Sequence, residues 1–89
     1  MNRPHPMGDP RLHLMRLRSM AAETGADTGA AFEDGTLDNA AWCAAVDRCR
    51  NCAWTHGCRD WLARPVARPR PVPNTCANAG LLRELTLPG

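Results

Sequence analysis

The sequence predicts an all-α protein, a small bundle of four or five short helices stapled by a four-cysteine site, with a Pro-rich extended strap. Three observations lead to this prediction. Residues that cap helices precede several apolar runs with helical spacing. No window shows the alternation with a period of two that marks a strand. Four cysteines follow the pattern C-x2-C-x5-C-x17-C, and they are Cys49, Cys52, Cys58 and Cys76.

The 89 residues are expected to form one domain. Residues 1–8 are predicted to be a flexible N-terminal tail, and residues 9–89 a helical cysteine-rich domain with a Pro/Arg-rich linker at 63–73. The Pro-rich segments leave about 60 to 65 residues for a core, which is near the lower limit for unaided stability. A metal centre held by several thiolates would supply the missing crosslink.

Local signals define the first two predicted helices. Asp9 can cap the first helix with Pro10 at its first position, and Gly25 would end it. Asp27 can cap a short second helix that Gly35 closes. The apolar residues of the first helix fall on two adjoining faces, one with Leu12, Met15 and Met20 and the other with Leu14 and Leu17.

The third predicted helix begins after Asp38 and directs the first thiols inward. One stripe of this helix, at offsets of 0, 4, 7 and 11 residues, contains Trp42, Val46, Cys49 and Ala53. Cys52, three residues later, lies on nearly the same side. Two thiols can therefore converge where this helix finishes.

The next segments bring the other two thiols to the first pair. Thr55 can cap a fourth helix that Pro65 ends, with Cys58 in its first turn, where the helix end favours a thiolate. Four prolines at 63–73 favour an extended strap that returns Cys76 to the others. After the strap, Asn78 or Thr75 can cap a last helix; its apolar face is formed by Leu81, Leu82 and Leu85.

Neither an export signal nor a membrane span is evident in the sequence. The N-terminus lacks the continuous apolar core of a signal peptide, and the longest apolar run, at 40–46, is too short to cross a bilayer. We therefore expect a cytoplasmic protein that does not bind membranes. Cytoplasmic thiols stay reduced, so ligands are a better interpretation of the cysteines than disulfides.

The cysteine spacing favours an iron-sulfur cluster over zinc. Structural zinc sites usually combine two knuckles of two cysteines each. Three closely spaced thiols and one distant thiol are more typical of a [4Fe-4S] cluster, whose larger cube takes ligands from several directions. We predict that Cys49, Cys52, Cys58 and Cys76 bind the cluster, with Zn²⁺ as the alternative and two disulfides as a third possibility.

Two kinds of resemblance support a metal centre. The segment CRNCAWTHGCRDWLA resembles the WhiB-like iron-sulfur regulators and the cluster loop of helix-hairpin-helix DNA glycosylases. Over nearly its whole length, the chain resembles a family of small bacterial cysteine-rich proteins of uncharacterised function. The residues that carry this second resemblance are Leu37, Trp42, Val46, Arg48, Cys49, Cys52, Cys58, Trp61, Leu62, Cys76 and Asn78. The resemblance implies that Cys76 is the fourth ligand, and it implies no activity.

Several other residues have open roles. Cys43 is either an additional ligand or, as we favour, a small core or interhelical residue. His56 could replace a ligand or bond to a sulfur, although an exposed loop histidine is the simpler interpretation. Trp54 is the best candidate for a lid that shields the cluster. His5 and His13 have no partner pattern.

Charge is distributed unevenly along the chain, whose basic residues other than histidine are all arginine. The segment 19–47 has six acids and no arginine, whereas 48–70 has six arginines and one acid. The arginines coincide with the cysteines, where they could offset the negative charge of a thiolate centre or simply form a solvated face. They also offer a docking surface for an acidic partner.

These features predict a non-enzymatic metal-centre protein that acts through a protein partner, as a redox, sensor or accessory protein. The sequence has no Gly-rich phosphate loop and no H-E-x-x-H, and four ligands leave few thiols for catalysis. No small-molecule substrate is expected, and nucleic acid is an unlikely partner because few aromatic residues are free to stack. A structural zinc module is the first alternative, and a cluster-dependent transcription or sigma-factor regulator is the second.

Overall fold

Five helices form the described part of the chain in this computed structural model, which covers residues 8–86. These residues contain no strand, so the all-α prediction is confirmed. The helices are α1 (Pro10–Thr24), α2 (Thr28–Asp34), α3 (Asn39–Arg50), α4 (Thr55–Ala63) and α5 (Ala79–Thr86).

The first three helices begin where the sequence predicts, and the first two also end there, whereas α3 ends at Arg50, before the predicted stripe reaches Ala53. Asp9, Asp27 and Asp38 each accept a hydrogen bond from a backbone N–H of the first turn, at 2.8 or 2.9 Å. Gly25 and Gly35 follow α1 and α2 with φ angles of 79° and 83°. These angles lie in the left-handed region, which glycine adopts without a side-chain clash.

The start of α4 differs from the prediction. Trp54 occupies the capping position and makes no side-chain cap, while Thr55 is the first residue of the helix. The Thr55 hydroxyl instead donates to the carbonyl of Cys52 at 3.0 Å. Thr55 therefore bonds backward to the turn between the two helices, because that turn places a free carbonyl within its reach.

The start of α5 also differs, because Asn78 bonds to α3 instead of capping its own helix. Its Nδ2 donates to the carbonyl of Ala45 at 2.8 Å, and its Oδ1 accepts from Nε of Arg48 at 2.8 Å. Asn78 is only 2 % exposed. Thr75 lies four residues before α5, too far to cap it. Asn78 thus ties the last helix to α3.

Helix α1 lies at the centre of the fold and contacts α3, α4 and α5. The buried cluster consists of Leu17, Met20, Ala21, Ala26, Ala45 and Leu82. The predicted faces of α1 were wrong in part, because Leu12 and Met15 are 46 % and 66 % exposed. The buried stripe is centred instead on residues 13, 17, 20, 21 and 24. Leu12 and Met15 lie well around the helix from it.

The Pro-rich strap crosses the end of α1. Residues 64–73 form no helix, as predicted, while Ala63 still belongs to α4. Glu23 bonds Nε of Arg68 at 2.7 Å and Nη1 of Arg70 at 3.5 Å, and its carbonyl accepts the Arg70 N–H at 2.7 Å. The Arg70 guanidinium lies 3.4 Å above the Trp61 ring. These contacts fix the path that leads to the last cysteine.

The N-terminal segment is connected to the end of α3. Gly8, the last residue of the predicted tail, donates its N–H to the Arg50 carbonyl at 3.1 Å and accepts from Arg50 Nε at 2.7 Å. The rest of that tail and the last three residues lie outside the described residues. None of the described helices has the length and apolar character needed to cross a membrane.

Candidate metal centre

All four predicted ligands line a single cavity. Cys49 comes from the last turn of α3, Cys52 from the turn after it, Cys58 from the first turn of α4, and Cys76 from the segment before α5. The enclosed part of the cavity measures about 20 Å³, and the empty space that includes its open mouth about 370 Å³. All four thiols are half-buried and free of disulfides. The fold therefore brings together the four cysteines that the sequence selects.

The side chains around the cavity are not arranged to bind a single metal ion. Among residues 8–86, no group of three or more His, Cys, Asp or Glu side chains is positioned to hold one metal ion. A tetrahedral zinc site requires each sulfur about 2.3 Å from the metal, which places the sulfurs roughly 3.8 Å apart. The four thiols share a cavity, and their convergence to coordination distance stays a prediction.

His13 is a cavity residue that the sequence did not indicate. It is 5 % exposed, and its Nδ1 lies 3.4 Å from Sγ of Cys49. Gly8 lies against the other side of the ring, where a Cβ would come within 2.0 Å of Nε2. The available signal was periodicity, because His13 precedes Leu17 and Met20 by four and seven residues on the buried stripe.

The imidazole of His13 is held in its neutral form. Burial lowers its pKa below the ordinary value of 6.5, and the charges of Arg16 and Arg50 lower it further, while Asp9 acts in the opposite direction. A neutral imidazole carries one N–H, which it can donate from Nδ1 to the sulfur of Cys49 when that sulfur is a thiolate.

Arg16 brings a positive charge to the cavity wall. It lies one turn after His13, and its Nη1 is buried with no hydrogen-bond partner among residues 8–86. No described residue that lines this cavity is acidic. A buried donor left without an acceptor costs about 1 to 3 kcal/mol, and more when it is charged. The cavity therefore lacks the negative charge that this guanidinium would need.

Cys49, Cys58 and Cys76 resist ionisation in the absence of a cation. The pKa of Cys49 is raised from 9.0 to about 11, first by burial and then by Cys58, Cys76 and Cys52, while Arg16 lowers it. Burial is also the main cause that raises the pKa of Cys58 and Cys76. The helix end was expected to favour a thiolate at Cys58, and burial outweighs it there. Metal binding must therefore displace protons.

Backbone N–H groups donate to two of the sulfurs. The Trp54 N–H donates to Sγ of Cys52 at 3.4 Å, and the Asn78 N–H bonds Cys76, where it lowers the pKa against the effect of burial. The Trp54 side chain also lines the cavity, as expected for a shielding residue. Its indole lies against Gly57, where a Cβ would come within 2.0 Å of Nε1. Such N–H···S bonds are one means of tuning a metal-thiolate centre.

The other candidate residues lie away from the cavity. Cys43 is exposed and is not a core residue, although it lines an open groove between α1 and α3, which fits the interhelical alternative. It faces outward from α3 because it lies one position, about 100°, from Trp42 on the helix. His56 is exposed as expected, in the first turn of α4 instead of a loop. His5 lies outside the described residues.

The arginines of the 48–70 segment make different contacts. Arg48 bonds Asn78, Arg50 bonds Gly8, and Arg70 is buried against Trp61. Arg59 and Arg64 are exposed. None of the arginines in this segment is among the described residues that line the cysteine cavity. The positive charge at the thiols comes from α1 instead.

The fold and the cavity define a class of protein, a small all-helical protein with four free thiols around a half-buried pocket. The chain belongs to the family described as "Family of unknown function (DUF6455)", whose sequence model matches residues 4–87. This match agrees with the resemblance to an uncharacterised family. No protein with a curated description matches the chain, and no solved structure matches it.

Proposed function

We propose that this protein binds a [4Fe-4S] cluster through Cys49, Cys52, Cys58 and Cys76. The observation that carries the proposal is the single cavity lined by these four half-buried thiols. The thiols come from the ends of two helices, the turn between them and the returning strap. A cubic cluster needs ligands that approach from such different directions.

The spacing of the four cysteines along the chain and the unpaired charge beside them favour a cluster over one ion. Three closely spaced thiols and one distant thiol are more typical of a four-iron cube, which takes ligand sulfurs farther apart than a tetrahedral zinc site does. The unpartnered Nη1 of Arg16 also matches an anionic occupant. When bound, such a cluster would supply one-electron chemistry.

The chain's own residues would isolate and tune this centre. Leu17, Met20 and Trp54 line the cavity and would keep water from most of the cluster. The N–H groups of Trp54 and Asn78 would donate to ligand sulfurs. The four thiols are only half-buried, which would leave part of the centre accessible for exchange of electrons with another protein.

The proposed role is that of a redox, sensor or accessory protein that acts in the cytoplasm through a protein partner and has no enzymatic activity of its own. The exposed Arg59 and Arg64 offer positive charge for an acidic partner. Zinc is the second candidate, because the turn after α3 presents a C-x2-C pair with an N–H donated to Cys52, as in a zinc knuckle. In that case the protein would be a structural interaction module.

Purification under strictly anaerobic conditions tests the proposal. We expect a brown protein with broad absorbance near about 400 nm, and iron and acid-labile sulfide in equal amounts. A colourless protein with one zinc per chain would favour the structural module. A protein that takes up neither metal, in the cell or on reconstitution, would contradict both.

A further inference from the structure

Arg16 is the feature of the cavity that the four ligands do not explain. A buried guanidinium nitrogen is normally hydrogen-bonded, because an unpaired charge away from water is destabilising. Nη1 of Arg16 has no partner among residues 8–86, although the side chain lines a cavity with four sulfurs. The exposed Arg18, two residues later on α1, has ready access to water.

We propose that Arg16 is the counter-charge of the bound cluster, with its buried Nη1 donating a hydrogen bond to a sulfur of the cluster or of its ligands. This inference rests on the proposed function. Helix α1 would then contribute no ligand and yet hold two groups against the centre, Arg16 and, one turn earlier, His13 at 3.4 Å from Sγ of Cys49.

The electrostatics of the site determine what Arg16 would do. A cluster held by four thiolates carries net negative charge, which grows by one unit when it accepts an electron from a one-electron reductant. A fixed guanidinium attracts the more negative, reduced form more strongly, and the attraction is large where water is excluded. Arg16 should therefore raise the reduction potential of the cluster. Its action on the free thiols is consistent, since its charge lowers the pKa of Cys49 and Cys58.

The identity of the side chain is part of the inference. Arginine is less strongly hydrated than lysine and presents several N–H groups in a rigid plane, which suits a dry cavity wall beside several acceptor sulfurs. Lysine in this place would retain the charge and lose the planar set of donors. Glutamine would retain a donor and lose the charge.

The experiment compares the wild type with Arg16→Gln, Arg16→Lys and the matched control Arg18→Gln. Each protein is reconstituted anaerobically with iron and sulfide, and its midpoint potential is measured in a dithionite titration at equal cluster content. For Arg16→Gln we expect about a tenfold lower ratio of reduced to oxidised cluster at a given potential, a shift of about 59 mV for a one-electron couple. Arg16→Lys should shift less, and Arg18→Gln should match the wild type.

The outcomes separate this inference from the proposed function. A wild type that assembles no cluster would remove both. A wild-type cluster with the same potential in Arg16→Gln, or an equal shift in Arg18→Gln, would overturn the counter-charge alone. If Arg16→Gln assembles no cluster, the helix content of the metal-free variants distinguishes a missing counter-charge from a structural defect. We expect metal-free Arg16→Gln to keep at least the wild-type helix content, because Nη1 has no partner to lose, and a lower helix content would show a structural role.

Discussion

Individual side chains make the four thiols unequal. Cys49 lies next to His13, and its burial, followed by the charges of the other three thiols, raises its pKa to about 11. Cys52 accepts the N–H of Trp54, and Cys76 that of Asn78. Because each sulfur has its own neighbours, the ligands should differ in how tightly they hold a metal and how readily they lose it.

The two cysteines of α3 should respond differently to replacement by serine. Cys49→Ser should abolish stable metal uptake, because it removes one of the four thiolates that the proposed centre requires. Cys43→Ser should keep the full metal content and change the free energy of unfolding by less than about 0.5 kcal/mol, since Cys43 is exposed. Metal analysis and thermal unfolding of both variants check this. Equal metal content in the two variants would contradict the assignment.

The second prediction at this scale concerns pH. The raised pKa values mean that Cys49, Cys58 and Cys76 are protonated at neutral pH, so each of them must release its proton when it becomes a ligand. Metal affinity should therefore rise with pH and fall steeply in acid, and for Cys49 the competition with protons extends to about pH 11. Titration with Co²⁺ in weakly buffered solution with a pH indicator measures the protons released. Fewer than about two protons per bound ion near pH 7 would contradict it.

Helices and segments position these residues through a few long-range contacts. Asn78 joins α5 to α3 through its buried side-chain amide, and its backbone N–H bonds Cys76. Arg48 and Asn78 both belong to the pattern that carries the family resemblance, and the structure places them 2.8 Å apart. The strap is held in a similar way, by Glu23 and by the stacking of Arg70 on Trp61.

The prediction at the scale of elements follows from Asn78. Asn78→Ala should lower the free energy of unfolding by about 1 to 3 kcal/mol, because the carbonyl of Ala45 and Nε of Arg48 lose their partner. It should also speed the loss of metal, since the segment with Cys76 is no longer tied to α3. Denaturant unfolding and metal transfer to a chelator measure both effects. Asn39→Ala, at an exposed position of α3, is the control and should change neither.

Sequence signals predicted the elements well where the signal was local. The three aspartate caps need only a backbone N–H two or three residues away, so their positions followed from the sequence. Thr55 and Asn78 have similar capping potential but bond instead to a turn and to another helix. Folding brings other hydrogen-bond partners close to these side chains, and the bonds to those partners replace the local cap. No pattern within the segment reveals such partners.

The whole molecule has a small core for its length. The fully buried apolar side chains include Leu17, Met20, Leu37 and Leu82, and many of the remaining core residues are alanines. The tryptophans are only partly buried beside this cluster. A core of this size gives modest stability, so a bound metal centre that joins α3, α4 and the strap would add a large share.

Removal of the metal should therefore destabilise the whole fold. The metal-free protein should unfold at a much lower temperature than the loaded protein and with a broader transition, because only contacts such as those of Asn78 then hold the Cys76 segment to α3. Calorimetry of the two forms under anaerobic conditions measures the difference. Cooperative unfolding of the metal-free form close to that of the loaded form would show that the apolar core suffices.

The helical class, the capped starts of three helices, the Pro-rich strap and the four candidate ligand cysteines could all be predicted from the sequence. These features depend on residue type and on spacing along the chain, which are visible without a fold. The folded structure was needed to show that His13 and Arg16 line the cavity, that Asn78 bridges two helices, and that Cys43 is exposed. His13 lies 36 residues before Cys49, and the packing of α1 across α3 and α4 is what brings the two within 3.4 Å. Contacts of this kind depend on how whole helices pack, and packing is a property of the folded molecule that no single segment encodes.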